Sequence, residues 1–313
     1  MQLLNIDGNA ETPFFLFKGD DISQFKFLGY DITSLIYMLP SRHRVAIIGL
    51  GGGKDVLASA AFNHEDITAI DINPIFVQLF QKELYHLPTL HLVVDDGRSW
   101  LARSKQQFDI IQMSLIDTWA STGAGAFTLS ENGLYTTGAW KIFYSKLSNN
   151  GVLSVSRWYD SSHLDESSRL ASLAIGTLLK LHVPNIQQHL FFVTQKNICT
   201  LLLSKRPFTP AEISHIDSAV HKYQHHIVIS PNKPVSNPLF KKLLSFKSLD
   251  ALNKFTSHFS INISPPSDDK PYFFNLLPFS RIFTLIAHPH KSDLIKGNGI
   301  QSGNFSALLV LFI

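Results

Sequence analysis

From Arg44 to Trp158, short apolar runs alternate with amphipathic stretches, and that alternation sets the fold class. The runs are Val45-Ala46-Ile47-Ile48, Ile67-Thr68-Ala69-Ile70, Leu90 to Val94, Phe108-Asp109-Ile110-Ile111-Gln112-Met113 and Gly151-Val152-Leu153-Ser154-Val155. They are short, rich in β-branched residues and apolar on both faces, which predicts strands buried in a parallel sheet. Asp55 to Phe62, Pro74 to Tyr85, Gly97 to Ser104 and Thr137 to Leu147 predict the helices between them, an α/β arrangement.

On either side the pattern changes. The first forty residues read as strands around turn signals, with Asp7-Gly8 as a hairpin dipeptide. Beyond Trp158, Ser167 to Leu181 predicts an amphipathic helix, and Leu190–Thr194 with Ile198–Leu203 a strand pair turning at Gln195-Lys196-Asn197. Thr209-Pro210-Ala211-Glu212 is a capping box with proline at the first helical position. Ser264 to Pro271 is loop or linker. The expected division is an N-terminal β element over 1–40, a main domain over 41–263, and a linker with an apolar tail over 264–313.

Composition narrows the classes. Apolar residues make up 45% and charged residues 16%, the latter below the roughly 25% usual for soluble domains, so the chain is no disordered polyanion or polycation. A net charge of +3 without a Lys/Arg run leaves no footprint for nucleic acid. Cys199 is the one cysteine, which excludes a disulfide framework and CxxC zinc sites. His221, His225 and His226 lie close together without an HExxH pattern, so no metal is expected. Met1-Gln2-Leu3-Leu4 has no basic region ahead of a long apolar stretch, which points to a cytoplasmic location. The end, Phe305 to Ile313, is almost wholly apolar, yet spanning a bilayer takes about 20 residues. It reads either as a terminal element tucked into the fold or as the first part of an interrupted membrane segment.

The densest chemical signal is Gly49-Leu50-Gly51-Gly52-Gly53-Lys54-Asp55, which follows a predicted strand and opens a helix. Glycines let the backbone turn sharply and let a ligand approach, and the helix N-terminus offers free N–H groups. This nucleotide-cradle reading requires the bend to stand open. Asp71 closes the next strand 22 residues beyond Gly49, the usual place of a carboxylate that grips a ribose diol. A dinucleotide fingerprint would need glycine where Lys54 stands, and a P-loop would need different spacing and a Ser or Thr where Asp55 stands. An S-adenosyl nucleoside, which carries no phosphate, is the remaining class. Asp96-Gly97 closes the third strand, with Asp96 placed to accept from an adenine amino group.

These segments resemble the spermidine synthase-like aminopropyltransferases, within the Rossmann-like class I methyltransferase fold. The carriers are Ile6-Asp7-Gly8, Val45 to Asp55, Ala69-Ile70-Asp71-Ile72-Asn73-Pro74, Asp95-Asp96-Gly97-Arg98-Ser99-Trp100-Leu101 and Phe108 to Ile111, together covering roughly residues 3 to 158. Leu129 to Thr136, Ser156-Arg157-Trp158 and Asp268-Asp269-Lys270-Pro271-Tyr272-Phe273-Phe274 are most similar to the bacterial branch in which this domain is joined to membrane helices. The resemblance implies a mostly parallel seven-stranded sheet with helices on both faces. It implies S-adenosylmethionine or its decarboxylated form as co-substrate and a small amine as acceptor. A homodimer and attachment to the cytoplasmic face of a membrane are compatible with it. The implied nucleoside-binding residues are Gly49, Gly51, Gly52, Gly53, Asp55, Asp71, Ile72, Asp96 and Gly97.

The match fails at two carboxylates. Laying the motifs together, the acid of the family's glycine turn falls on Gly52, and the acid that ends the fourth strand and acts as base falls on Ser114. Asp117 matches the second acid of the family's loop and is the expected base, while Asp55 is placed to replace the missing ammonium contact. Tyr135 fits either the lining of an acceptor pocket or an ordinary core position. Residues 118–127, small and Gly/Ala-rich, suit a lid, and Trp119 and Trp158 offer rings to a cationic substrate. Three readings stay open: aminopropyl transfer, methyl transfer, and nucleoside binding without turnover.

Overall fold

The computed structural model describes residues 2–6, 10–15, 17, 21–83, 87, 90–116, 131–161, 165–259 and 261–277. The chain divides into two compact units that interleave in sequence: 1–116, 142–157 and 185–237 in the first; 117–141, 158–184 and 238–313 in the second. The linear division into 1–40, 41–263 and 264–313 does not coincide with them.

The first unit opens with β1 (Gln2–Ile6) and β2 (Ala10–Phe14), paired antiparallel from Gln2↔Phe14 to Ile6↔Ala10. Asp7-Gly8 lies outside the described residues. Two 3₁₀ helices, Ile22–Tyr30 and Ile32–Met38, follow where further strands were expected. The reason is visible in the spacing: Ile22, Phe25 and Leu28, then Ile32, Leu35 and Met38, recur every third residue, the 3₁₀ period.

The alternating region folds as read: β3 (Arg44–Ile48), α1 (Lys54–Ala61), β4 (Asp66–Asp71), α2 (Pro74–Glu83), β5 (Leu90–Val94), α3 (Gly97–Arg103) and β6 (Phe108–Ser114). Next come α4 (Thr137–Lys146), which passes from the second unit into the first, and β7 (Leu147–Trp158). The first unit ends with β8 (Leu190–Gln195), β9 (Ile198–Ser204), α6 (Pro210–Lys222) and β10 (His226–Ile229), α5 (Asp165–Lys180) belonging to the second unit.

The sheet has eight strands in the order β10-β8-β9-β7-β6-β3-β4-β5. This corrects the expected seven: His226–Ile229 is a short strand paired antiparallel with β8. β3 pairs in parallel with both β4 and β6, β4 with β5, and β6 with β7, whereas β8 and β9 are antiparallel. β3 and β4 are buried along nearly their whole length, as continuous apolar runs demand. β5 departs from expectation: it is the sheet's edge, and its residues are half-buried or exposed.

From β3 the chain winds to β4 and β5 on one side, then crosses back to β6 and β7 on the other. The crevice beyond the C-terminal ends of β3 and β6 is therefore the topological switch point, where ligands bind in doubly wound sheets. The glycine turn leaves β3 there, and Ser114 ends β6 there.

In the second unit α5 (Asp165–Lys180) packs against α7 (Pro238–Leu244) and α8 (Leu249–Thr256). Arg169 on α5 is buried and donates to the Ser264, Phe273 and Asn275 carbonyls, pinning the segment before residue 277 to the helix. Asp268 accepts from the Thr136 hydroxyl at 2.6 Å, so the first acid of the Asp-Asp-Lys-Pro stretch braces the start of α4. Among the described residues no helix is long and apolar enough to cross a membrane. The apolar end, 305–313, lies outside them.

Candidate functional site at the glycine turn

The turn is built by backbone sign changes that only glycine makes cheaply: Gly49, Gly51 and Gly53 have φ of +86°, +48° and +78°. The Gly49 N–H donates to the Ile70 carbonyl, and the Gly53 N–H closes the turn onto Leu50. The N–H groups of Gly51 and Gly52 have no partner among the described residues, and α1 starts at once with no side-chain cap on its orphan donors.

Asp71 ends β4 and ties the turn to the strand. The Leu50 N–H donates to its Oδ2 at 2.8 Å and the Asn73 N–H to its Oδ1 at 2.8 Å. Each oxygen keeps a further lone pair, so the carboxylate can still accept from two hydroxyls. Ile72, the next residue, is 75% exposed, an apolar surface beside that carboxylate. Asp96 sits one strand over and caps α3, its Oδ1 accepting from the Ser99 N–H at 2.8 Å, which leaves Oδ2 for a ligand. Gly97 is pressed against Ile48, where a Cβ would stand 2.6 Å from the methyl carbon.

The bend is only partly open, which corrects the expectation that missing side chains leave it free for a ligand. A Cβ on Gly52 would run into the Pro13 carbonyl oxygen and stand 2.5 Å from the Thr12 methyl. One on Gly53 would meet the Phe80 ring at 2.5 Å, and Phe80 itself packs on Phe14 of β2. Gly51 alone in the turn has nothing nearer than 4.0 Å. The hairpin thus fills the space beside Gly52.

Ser114 has a carboxylate neighbour. Ser114 accepts from Gln112 Nε2 at 2.7 Å, and its hydroxyl reaches the Asp55 carboxylate. Asp55 is 8% exposed. Burial pushes its carboxyl above the ordinary value, against the opposing pull of Lys54 and Ser114; Asp31 reinforces the rise and Thr33 opposes it. Lys54 pairs with Asp31 at 2.7 Å and is held above its usual value by Asp55 and Asp31 although burial acts the other way. Gln112 Nε2 also donates to the Thr33 carbonyl at 3.1 Å. Sequence reading missed Asp31, Thr33 and Gln112; a glutamine inside an otherwise apolar central strand was the available signal.

Tyr135 takes the core position, the second of its two expected places. It is wholly buried and stacks on Phe273 at 4.6 Å between centroids, so it presents no surface to an acceptor. Asp109 accepts from the His43 and Arg44 N–H groups and from Ser148, which anchors the start of β6. Asp117, Trp119 and the 118–127 segment lie outside the described residues. A groove of about 540 Å³ lined by Ile213, Asp217, His221 and Asn232 runs along α6, and none of Asp55, Asp71, Asp96 and Ser114 lines it.

No protein-family model matches the chain. It is similar to polyamine aminopropyltransferase 2 of Pseudomonas aeruginosa, 23% identical over 135 residues, 40% of this chain. That match spans 36% of the relative's length. A probable spermidine synthase from Corynebacterium glutamicum superposes with a TM-score of 0.50 at 12% identity, covering 77% of this chain and 85% of that one. Spermidine synthase from Thermotoga maritima gives 0.46 at 16% identity, covering 78% and 77%. The chain therefore has a Rossmann-like class I methyltransferase fold and, over part of its sequence, resembles the polyamine aminopropyltransferases.

Proposed function

We propose that this chain is a transferase that moves an aminopropyl group from decarboxylated S-adenosylmethionine to a small amine such as putrescine. The observation that carries the reading is Asp71, whose two oxygens tie the glycine turn to the end of β4 while keeping lone pairs for a ribose diol. Asp96 Oδ2 would meet the adenine amino group, Ile72 the adenine face, and the Gly51 and Gly52 N–H groups the tail side. Sequence similarity to a polyamine aminopropyltransferase supports the group transferred.

The chemistry is an in-line displacement. The neutral amine attacks the carbon beside the sulfonium, the C–N bond forms as the C–S bond breaks, and methylthioadenosine leaves. The sulfonium is already electrophilic, so the protein's tasks are orientation and proton removal. A free amine with a pKa near 10 is mostly protonated at neutral pH, so an ionised carboxylate is needed to hold the cation and take its proton. By resemblance that base is Asp117. Ser114 cannot hold the proton, but its hydroxyl can accept a hydrogen bond from the incoming amine.

The test is product identity after incubation with putrescine and each sulfonium donor. Methylthioadenosine formed only from the decarboxylated donor supports the reading. S-adenosylhomocysteine would make the chain a methyltransferase, and neither product would make it a binding module.

A further inference from the structure

Behind the glycine turn lies a buried seam that holds two acids and one lysine. Asp31 and Asp55 supply two carboxylates and Lys54 one ammonium, which is bonded to Asp31 at 2.7 Å. The other titratable groups facing the seam are Tyr37, whose phenol burial raises well above its ordinary value, and His225, whose imidazole burial lowers against the opposing pull of Asp31. Asp55 Oδ1 and Gln112 Oε1 are both buried with no hydrogen-bond partner. Thr33 and Gln112 are wholly buried and Asp55 more than nine-tenths. An ionised carboxylate oxygen and an amide oxygen only accept, so what completes them is a donor, and a cationic donor matches the carboxylate.

Resting on the aminopropyl reading, we propose that Asp55 Oδ1 and Gln112 Oε1 hold the terminal ammonium of the donor's aminopropyl tail. Asp55, reaching from α1 to Ser114, then does from the helix what the family's carboxylates do from Gly52 and Ser114. The seam also selects the decarboxylated donor. Ordinary S-adenosylmethionine carries a carboxylate on the carbon that bears its amine, and that group would face Asp55 and Asp31 with Lys54 already engaged. Pro13 against Gly52 closes the alternative position, so the acid has no place in the turn itself.

Calorimetric titration of the purified chain with decarboxylated S-adenosylmethionine, S-adenosylmethionine and methylthioadenosine tests this. The expected result is decarboxylated donor bound about 10- to 100-fold tighter than methylthioadenosine, which has no tail ammonium. Asp55→Asn should bring the donor down to the level of methylthioadenosine and leave methylthioadenosine itself unchanged. A preference that survives Asp55→Asn, or a wild-type chain that binds methylthioadenosine equally well, overturns the inference. Binding of no nucleoside at all defeats the functional reading instead. Should Asp55→Asn fail to fold, Gln112→Leu provides the second arm: about a 3- to 10-fold loss for the donor alone is expected, and an unchanged donor affinity refutes the proposal.

Discussion

The carbonyl oxygen of Pro13 occupies the place where any side chain on Gly52 would begin. The N-terminal hairpin and a side chain at Gly52 are thus mutually exclusive claimants on one volume, and the hairpin holds it.

Adding a side chain there should be costly. Gly52→Ala is expected to destabilise by about 1–3 kcal/mol, the usual penalty for overpacking. Gly51→Ala, in open space at φ +48°, should cost only the strain of a left-handed alanine, about 1 kcal/mol. Thermal melts of both variants give the comparison, and equal losses would mean the hairpin does not seal the turn.

Asp71→Ala should lower affinity for methylthioadenosine by about 100-fold or more, since two charge-assisted bonds to ribose are removed. Asp117→Ala should leave that affinity intact while slowing turnover. Calorimetry and initial rates separate the two, and parallel losses would show that the base is misassigned.

Acid should loosen the first unit through Glu212. Burial alone would raise its carboxyl, but the Thr209 N–H, Arg42 and Arg206 hold it down to about 2. Because the folded value lies below the ordinary 4.5, this stabilisation is complete above about pH 4.5 and is lost as pH falls toward about 2. Denaturant melts across that window should lose a component that Glu212→Gln lacks. Glu212→Ala, which leaves the buried Arg42 guanidinium without its carboxylate, should cost about 3–5 kcal/mol.

Arg169→Met should free the segment ending at 277. The Ser264 and Phe273 carbonyls lose their Arg169 donor and Asn275 keeps only Asn262 Nδ2, a penalty of about 1–3 kcal/mol for each carbonyl left buried and unpaired. Limited proteolysis should then cut between Asn262 and Leu277 earlier than in the wild type.

The sequence disclosed most where local chemistry decides structure. Continuous apolar runs located β3, β4, β6 and β7, and Thr209 with Glu212 does form the capping box its spacing announced. Gly49, Gly51 and Gly53 take the left-handed conformations that the turn needs. What stayed hidden depends on distant segments meeting. No spacing reveals that Pro13 backs onto Gly52, or that Asp55 on α1 reaches Ser114 on β6. β10 was missed because four residues led by a histidine carry little strand pattern, and its place comes from pairing with β8. The burial of Tyr135 follows from Phe273, more than a hundred residues away.

The account stands or falls on where the nucleoside lies. A crystal structure of the chain with methylthioadenosine should place both ribose hydroxyls within about 3 Å of the Asp71 carboxylate, with adenine against Ile72. Ribose seated elsewhere, with Asp71 bonded only to Leu50 and Asn73, would contradict it.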